Sequence, residues 1–163
     1  MNVTRLALVR AMLLAATPGP TMAPRWPGPH VAWRSPDGSV FLITVGGGVG
    51  VDSTGTGVTL RPVAPLESNP PQAGFLVAPK PRWRHQQGNH GAPQTHPAYA
   101  LGTRITWLTW QDSGRWWSEA MVPFPSLKGP RLTVHLTADA ANEAELAQMR
   151  GLLESTVVDR PLR

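Results

Sequence analysis

Tyr99 to Val122, YALGTRITWLTWQDSGRWWSEAMV, constrains the fold of this chain more than any other stretch. Two apolar runs rich in aromatic and β-branched residues flank Gln111-Asp112-Ser113-Gly114, whose Asp and Ser favour local backbone hydrogen bonds and whose Gly accepts a left-handed conformation. The pattern predicts a β-hairpin with a four-residue turn. It carries four of the seven tryptophans, Trp107, Trp110, Trp116 and Trp117.

The flanking sequence supports short strands joined by turns. Gly (16) and Pro (18) are abundant while charged residues are only 15%, which disfavours a helical bundle. His30 to Arg34 and Val40 to Val45 read as strands of a first hairpin around Ser35-Pro36-Asp37-Gly38, a type I turn signal. The second of these strands is apolar on both faces and is expected to lie centrally in its sheet. Gly46-Gly47-Gly48-Val49-Gly50 lacks both a G-x-G-x-x-G and a Lys-Ser/Thr ending, so it reads as a glycine turn or bulge. Gly57 to Pro62 and Gly74 to Ala78 are further short strands. Pro79 to Ala98 reads as a loop of about 20 residues, a length that in a small domain points to function or disorder.

Arg131 to Thr137 alternates: Leu132, Val134 and Leu136 occupy one face, while Thr133, His135 and Thr137 form a solvated one. His135 needs no special role there. Ala138 to Thr156 reads as the one helix, with Asp139 or Asn142 as cap and Leu146, Met149, Leu152 and Leu153 as its apolar stripe. Val157-Val158 suits a last short strand. The expected fold class is therefore α+β: an antiparallel sheet of short strands with one C-terminal helix packed on a face.

Residues 1–23 read as a signal peptide or an unstructured leader: Arg5 and Arg10 precede a short apolar run and small residues. That run is too short to cross a bilayer, so no transmembrane segment is expected. Residues 24–29 form a Pro-rich linker, 30–158 a single domain and 159–163 a tail. The expected location is periplasmic or secreted, with the cytoplasm as the alternative. Cys is absent, which removes disulfides and thiolate chemistry.

The net charge of +5 is uneven, with 12 basic and 5 acidic residues up to position 135 and 3 and 5 after it. Lys80, Arg82, Trp83, Arg84 and His85 form a basic loop whose cations suit an acidic partner or phosphates, with Trp83 placed to stack. His85, His90 and His96 stand five and six residues apart on a Gly/Pro loop. That spacing supplies no metal-ligand geometry, and neither a metal nor a cofactor is expected. G-x-S-x-G, S-x-x-K and H-E-x-x-H are absent, Asp112 reads as a turn residue and Glu119 as a surface strand residue, so no catalytic residues are assigned.

The leading reading is a non-catalytic exported or periplasmic binding or accessory domain. Its site would combine Lys80, Arg82, Trp83, Arg84 and His85 with Trp107, Trp110, Trp116 and Trp117, because tryptophan is enriched where partners bind. Burial of Trp110 and Trp116 in the core would remove that reason. A protein partner is expected and nucleic acid is possible. The alternatives are a single-stranded nucleic-acid binder acting through Arg82, Trp83 and Arg84, and a hydrolase whose site forms only in space. The last third, Leu132 to Leu136, the helix through Leu153, and Ser155, resembles the C-terminal strand and helix of PsbP-like small secreted α+β domains. The resemblance implies an antiparallel sheet backed by a helix and an accessory role more than catalysis.

Overall fold

The computed structural model describes residues 30–44, 48–63, 69–88, 90–124 and 131–159. The leader at 1–23, the linker at 24–29 and the tail beyond 159 lie outside the described residues. Among the described residues, ten strands and one α-helix follow in order. They are β1 (His30–Arg34), β2 (Val40–Thr44), β3 (Val49–Ser53), β4 (Gly57–Pro62), β5 (Gln72–Ala78), β6 (Gln94–Ala100), β7 (Thr103–Asp112), β8 (Arg115–Phe124), β9 (Leu132–Ala140), α1 (Glu143–Glu154) and β10 (Val157–Asp159).

These strands form two antiparallel sheets, one of three strands in the order β1-β2-β10 and one of seven in the order β3-β4-β5-β9-β8-β7-β6. The fold is β-rich, which corrects the α+β expectation of one sheet closed by a helix. Sheet-to-sheet packing closes the core: Phe41 of β2 stacks on Phe75 of β5 at 5.0 Å and meets Phe124 of β8 at 5.5 Å. Trp33 of β1 packs edge-on to Phe75, and its indole N–H donates to the Thr54 carbonyl at 3.1 Å. The helix stands beside this contact and adds Leu146, Met149, Leu152 and Leu153 to the same core. Its first turn is capped by Asn142, whose side chain accepts from the Glu145 N–H at 2.9 Å, while Asp139 belongs to β9.

The aromatic hairpin forms with a tighter turn than expected. Ser113 and Gly114 both have positive φ, at 51° and 78°, and Asp112 pairs with Arg115, so two residues make the turn. Leu101-Gly102, with φ of 54° and 75°, makes a second such turn between β6 and β7. Tyr99 and Ala100 therefore belong to a preceding strand, and the long loop shrinks to 79–93. A leucine at positive φ is sterically costly, so nothing in its residue type announced that turn.

Strand alternation splits the large sheet into two faces. Ile105 and Trp107 of β7, Ala120, Val122 and Phe124 of β8, and Val134, Leu136 and Ala138 of β9 point into the core. The residues between them, among them Trp110, Trp117, Glu119, His135 and Asp139, share the opposite face. That face is not solvated as the β9 pattern suggested. Segment 79–93 folds across it and leaves His135 only 7% exposed.

Candidate functional site

One residue holds the 79–93 segment in place. Glu119 on β8 is wholly inaccessible to solvent. Its Oε1 accepts the backbone N–H of His85 at 2.8 Å, and its Oε2 accepts that of Arg84 at 2.8 Å. The ring Nε2 of His135 donates to the same Oε2 at 2.8 Å. Burial opposes ionisation of this carboxyl, yet the hydrogen bonds from His135, His85 and Arg84 outweigh it, and the group titrates below the usual glutamate range. A buried carboxylate with three donors is satisfied, and it fixes the loop backbone to the sheet. Glu119 is thus no surface residue, and His135 does have a role.

Side chains of the loop then pack on the aromatic face below them. The Arg84 guanidinium lies 3.7 Å from the centre of the Trp117 ring, in cation–π range. His85 meets Trp110 edge-on at 5.2 Å and donates from Nε2 to the Gly91 carbonyl at 3.1 Å. His90 packs on Trp110 at 5.6 Å, and Trp83 approaches the His135 ring at 6.3 Å. His85 and Gln87 lie in a single 3-10 turn, where the Gln87 amide donates to the Trp83 carbonyl at 3.2 Å.

The sequence-derived site is therefore divided by the fold. Arg82, Trp83, Arg84 and His85 come together with Trp110 and Trp117, joining the basic loop to one side of the hairpin. Lys80 lies at the exposed start of the loop. Trp107 and Trp116 are not part of this group. Trp107 is 1% exposed on the core face, where its indole N–H donates to Glu154 of α1 at 2.8 Å. Trp116 is partly buried and packs against the core. Trp110 is buried beneath the loop, so the tryptophans do not make one exposed surface.

Two adjoining open depressions lie along the loop. One, of about 520 Å³, is lined by Arg82, Arg84, Gln87, Gly88, His90, Asp112, His135 and Thr137. The other, of about 560 Å³, runs from Lys80 through Trp83 to Gln87 and shares Arg82. Glu119, His135, His90 and Thr137 are named from the sequence, but none of them is assigned to the site there. The available signal was paired alternation: Trp117 and Glu119 on β8 face Asp139 and Thr137 on β9 in register, two strands whose polar side is too rich in ionisable groups for a plain solvated face.

A second buried pair anchors the far end of this face. Arg115 donates to Asp139 Oδ2 at 2.6 and 3.1 Å and to the carbonyls of Asn69 and Pro70 at 2.9 and 3.2 Å. Burial raises the Asp139 carboxyl above the usual aspartate range even against its bonds to Arg115. Among the described residues, no group of three or more His, Cys, Asp or Glu side chains converges on a point that would hold a metal ion. His96 stands on β6 opposite Trp107, apart from His85 and His90.

No protein-family model matches the chain, and no curated protein matches it. A solved structure does. LpqN, involved in cell envelope biogenesis of Mycobacterium tuberculosis, superposes with a TM-score of 0.56 at 15% identity, over 80% of this chain and 91% of that one. At that identity the likeness extends to the fold alone. No helix among the described residues is long and apolar enough to cross a membrane.

Proposed function

We propose that this chain is a non-catalytic, exported binding or accessory domain of the cell envelope, and that its ligand site is the groove between segment 79–93 and the outward face of β7, β8 and β9. The observation that carries the reading is the Glu119 latch. Burying a carboxylate is costly, and here the burial serves to hold a polar loop in one conformation over an aromatic floor, which preorganises a binding surface. Catalysis is less well supported. The hydrogen bond of His135 goes to Glu119, and among the described residues no hydroxyl is hydrogen-bonded to either. Envelope location draws on the N-terminal pattern and on the fold shared with LpqN, itself involved in cell envelope biogenesis.

The test combines fractionation of the native host with photo-crosslinking. The full chain carries a photoreactive residue at Gln87, on the groove, or at Tyr99, which is 63% exposed on β6. The chain is expected in the envelope or exported fraction, with a discrete adduct from position 87 that is missing from position 99. A cytosolic chain would overturn the location, and identical adducts from both positions would overturn the site.

A further inference from the structure

We infer that the groove binds a phosphate ester, held between Arg82 and Arg84 with Lys80 at its open end. This rests on reading the groove as a ligand site and names the chemistry of what fills it.

The charges support an anion. The side chains of Lys80, Arg82 and Arg84 make no hydrogen bond or ion pair among the described residues, although Arg82 and Arg84 line one depression and Lys80 and Arg82 the next. Four other described arginines are used structurally: Arg34 with the Gly38 carbonyl, Arg61 with Asp52, Arg115 with Asp139 and two carbonyls, Arg150 with Thr109. The guanidinium of Arg84 is also fixed in place, because its backbone is tied to Glu119 and its plane lies over Trp117. A guanidinium held this way loses little freedom on binding, and its forked N–H donors match tetrahedral oxyanions.

Three carboxylates stand near and all are engaged; Asp139, whose charge Arg84 also feels, is bonded to Arg115. Glu119 is inaccessible and accepts from three donors. Asp112, on the rim, accepts from the Ser113 hydroxyl at 3.0 Å and lies 3.9 Å from His90 Nδ1. The unpaired cations thus outnumber the one exposed carboxylate. The remaining lining suits the ester part: Gln87 and Thr137 supply neutral polar groups, and Trp83 offers an apolar wall in the adjoining depression. A free phosphate ester and the headgroup of an anionic lipid share this chemistry.

The full chain would be titrated with sn-glycerol 3-phosphate and, separately, with vesicles of phosphatidylglycerol or phosphatidylcholine, at low and high salt. Binding would be read by amide chemical shifts for the soluble probe and by sedimentation for the vesicles. Shifts confined to residues 80–90, 135 and 137, with affinity falling as salt rises, are expected. Arg82→Gln, whose exposed side chain has no partner to lose, should weaken binding about fivefold, and Arg82→Gln/Arg84→Gln at least about tenfold. Binding to glycerol phosphate but not vesicles would assign a soluble ester; binding to phosphatidylglycerol vesicles alone would assign the lipid headgroup.

No saturable shift with either probe, or equal affinity in the double variant, would overturn the inference. Tighter salt-sensitive binding of a single-stranded oligonucleotide would also overturn it, in favour of nucleic acid. A position-87 adduct formed without any phosphate binding would defeat the ligand class and leave the site standing.

Discussion

Replacing Glu119 by Gln should release segment 79–93 while leaving both sheets folded. The amide keeps the shape of the carboxylate but has one acceptor oxygen. Oε2 serves Arg84 and His135, whereas Oε1 serves only His85, so the amide nitrogen will replace Oε1 and leave the His85 N–H facing another donor. A hydrogen bond to a charged group contributes roughly 1.5–3 kcal/mol, and the two that remain lose their charge assistance. The closed loop should therefore lose about 2–4 kcal/mol, which at about 1.4 kcal/mol per tenfold is an opening equilibrium raised by about thirty- to several-hundred-fold. Native-state hydrogen exchange reads this directly. The Arg84 and His85 amides should exchange faster by that factor, while Phe75 and Leu136, in the core and paired across β5 and β9, should change far less. Unchanged exchange at Arg84 and His85 would refute the latch. Equal acceleration at Phe75 and Leu136 would show that Glu119 supports the whole fold and not the loop.

Acid should act through the same group. The Glu119 carboxyl titrates below its ordinary value of 4.5 in the folded chain, so its stabilisation is complete above that value and is lost as pH falls through the folded one. Asp139 has the opposite sign, since it titrates above its ordinary 3.8; its contribution is greatest below that value and declines as pH rises through the folded one. Urea midpoints measured from neutral pH into acid should fall in the parent chain, and the Glu119→Gln variant should lack the Glu119 part of that fall. Arg115→Ala strands Asp139, which is 5% exposed, and should cost about 3–5 kcal/mol in urea unfolding at neutral pH. Trp107→Phe leaves Glu154 without its indole donor and a small void in the core, for a loss of about 1.5–3 kcal/mol by the same assay. Gly74→Ala would put a methyl carbon 2.6 Å from the Val58 carbonyl oxygen on the paired strand, and a loss of about 1–3 kcal/mol is expected from the backbone shift it forces.

The aromatic hairpin, the alternation of β9 and the stripe of α1 were legible because each is a local rhythm of period two or near four that burial enforces within one element. Leu146, Met149, Leu152 and Leu153 are buried as that rhythm requires. The basic character of residues 80–84 was equally plain from residue type. Strand β6 was not, because its start is masked by Pro and Gly and its end by a leucine at positive φ. Nor was β3, whose glycines read as a turn. With those two strands hidden, and with β10 more than a hundred residues from the β1-β2 hairpin it joins, the second sheet and the β-rich architecture were out of reach.

The site shows the same division. Residue types alone supplied the cations, the tryptophans and the want of any nucleophile motif. Only the tertiary structure decided what each tryptophan's face met, putting Trp107 in the core and Trp110 and Trp117 beneath the loop. It alone turned Glu119 and His135 from two ordinary strand residues into a buried pair. The reason is physical: a side chain's face follows from its own strand, but whether that face meets water depends on a segment 35 positions away that folds over it.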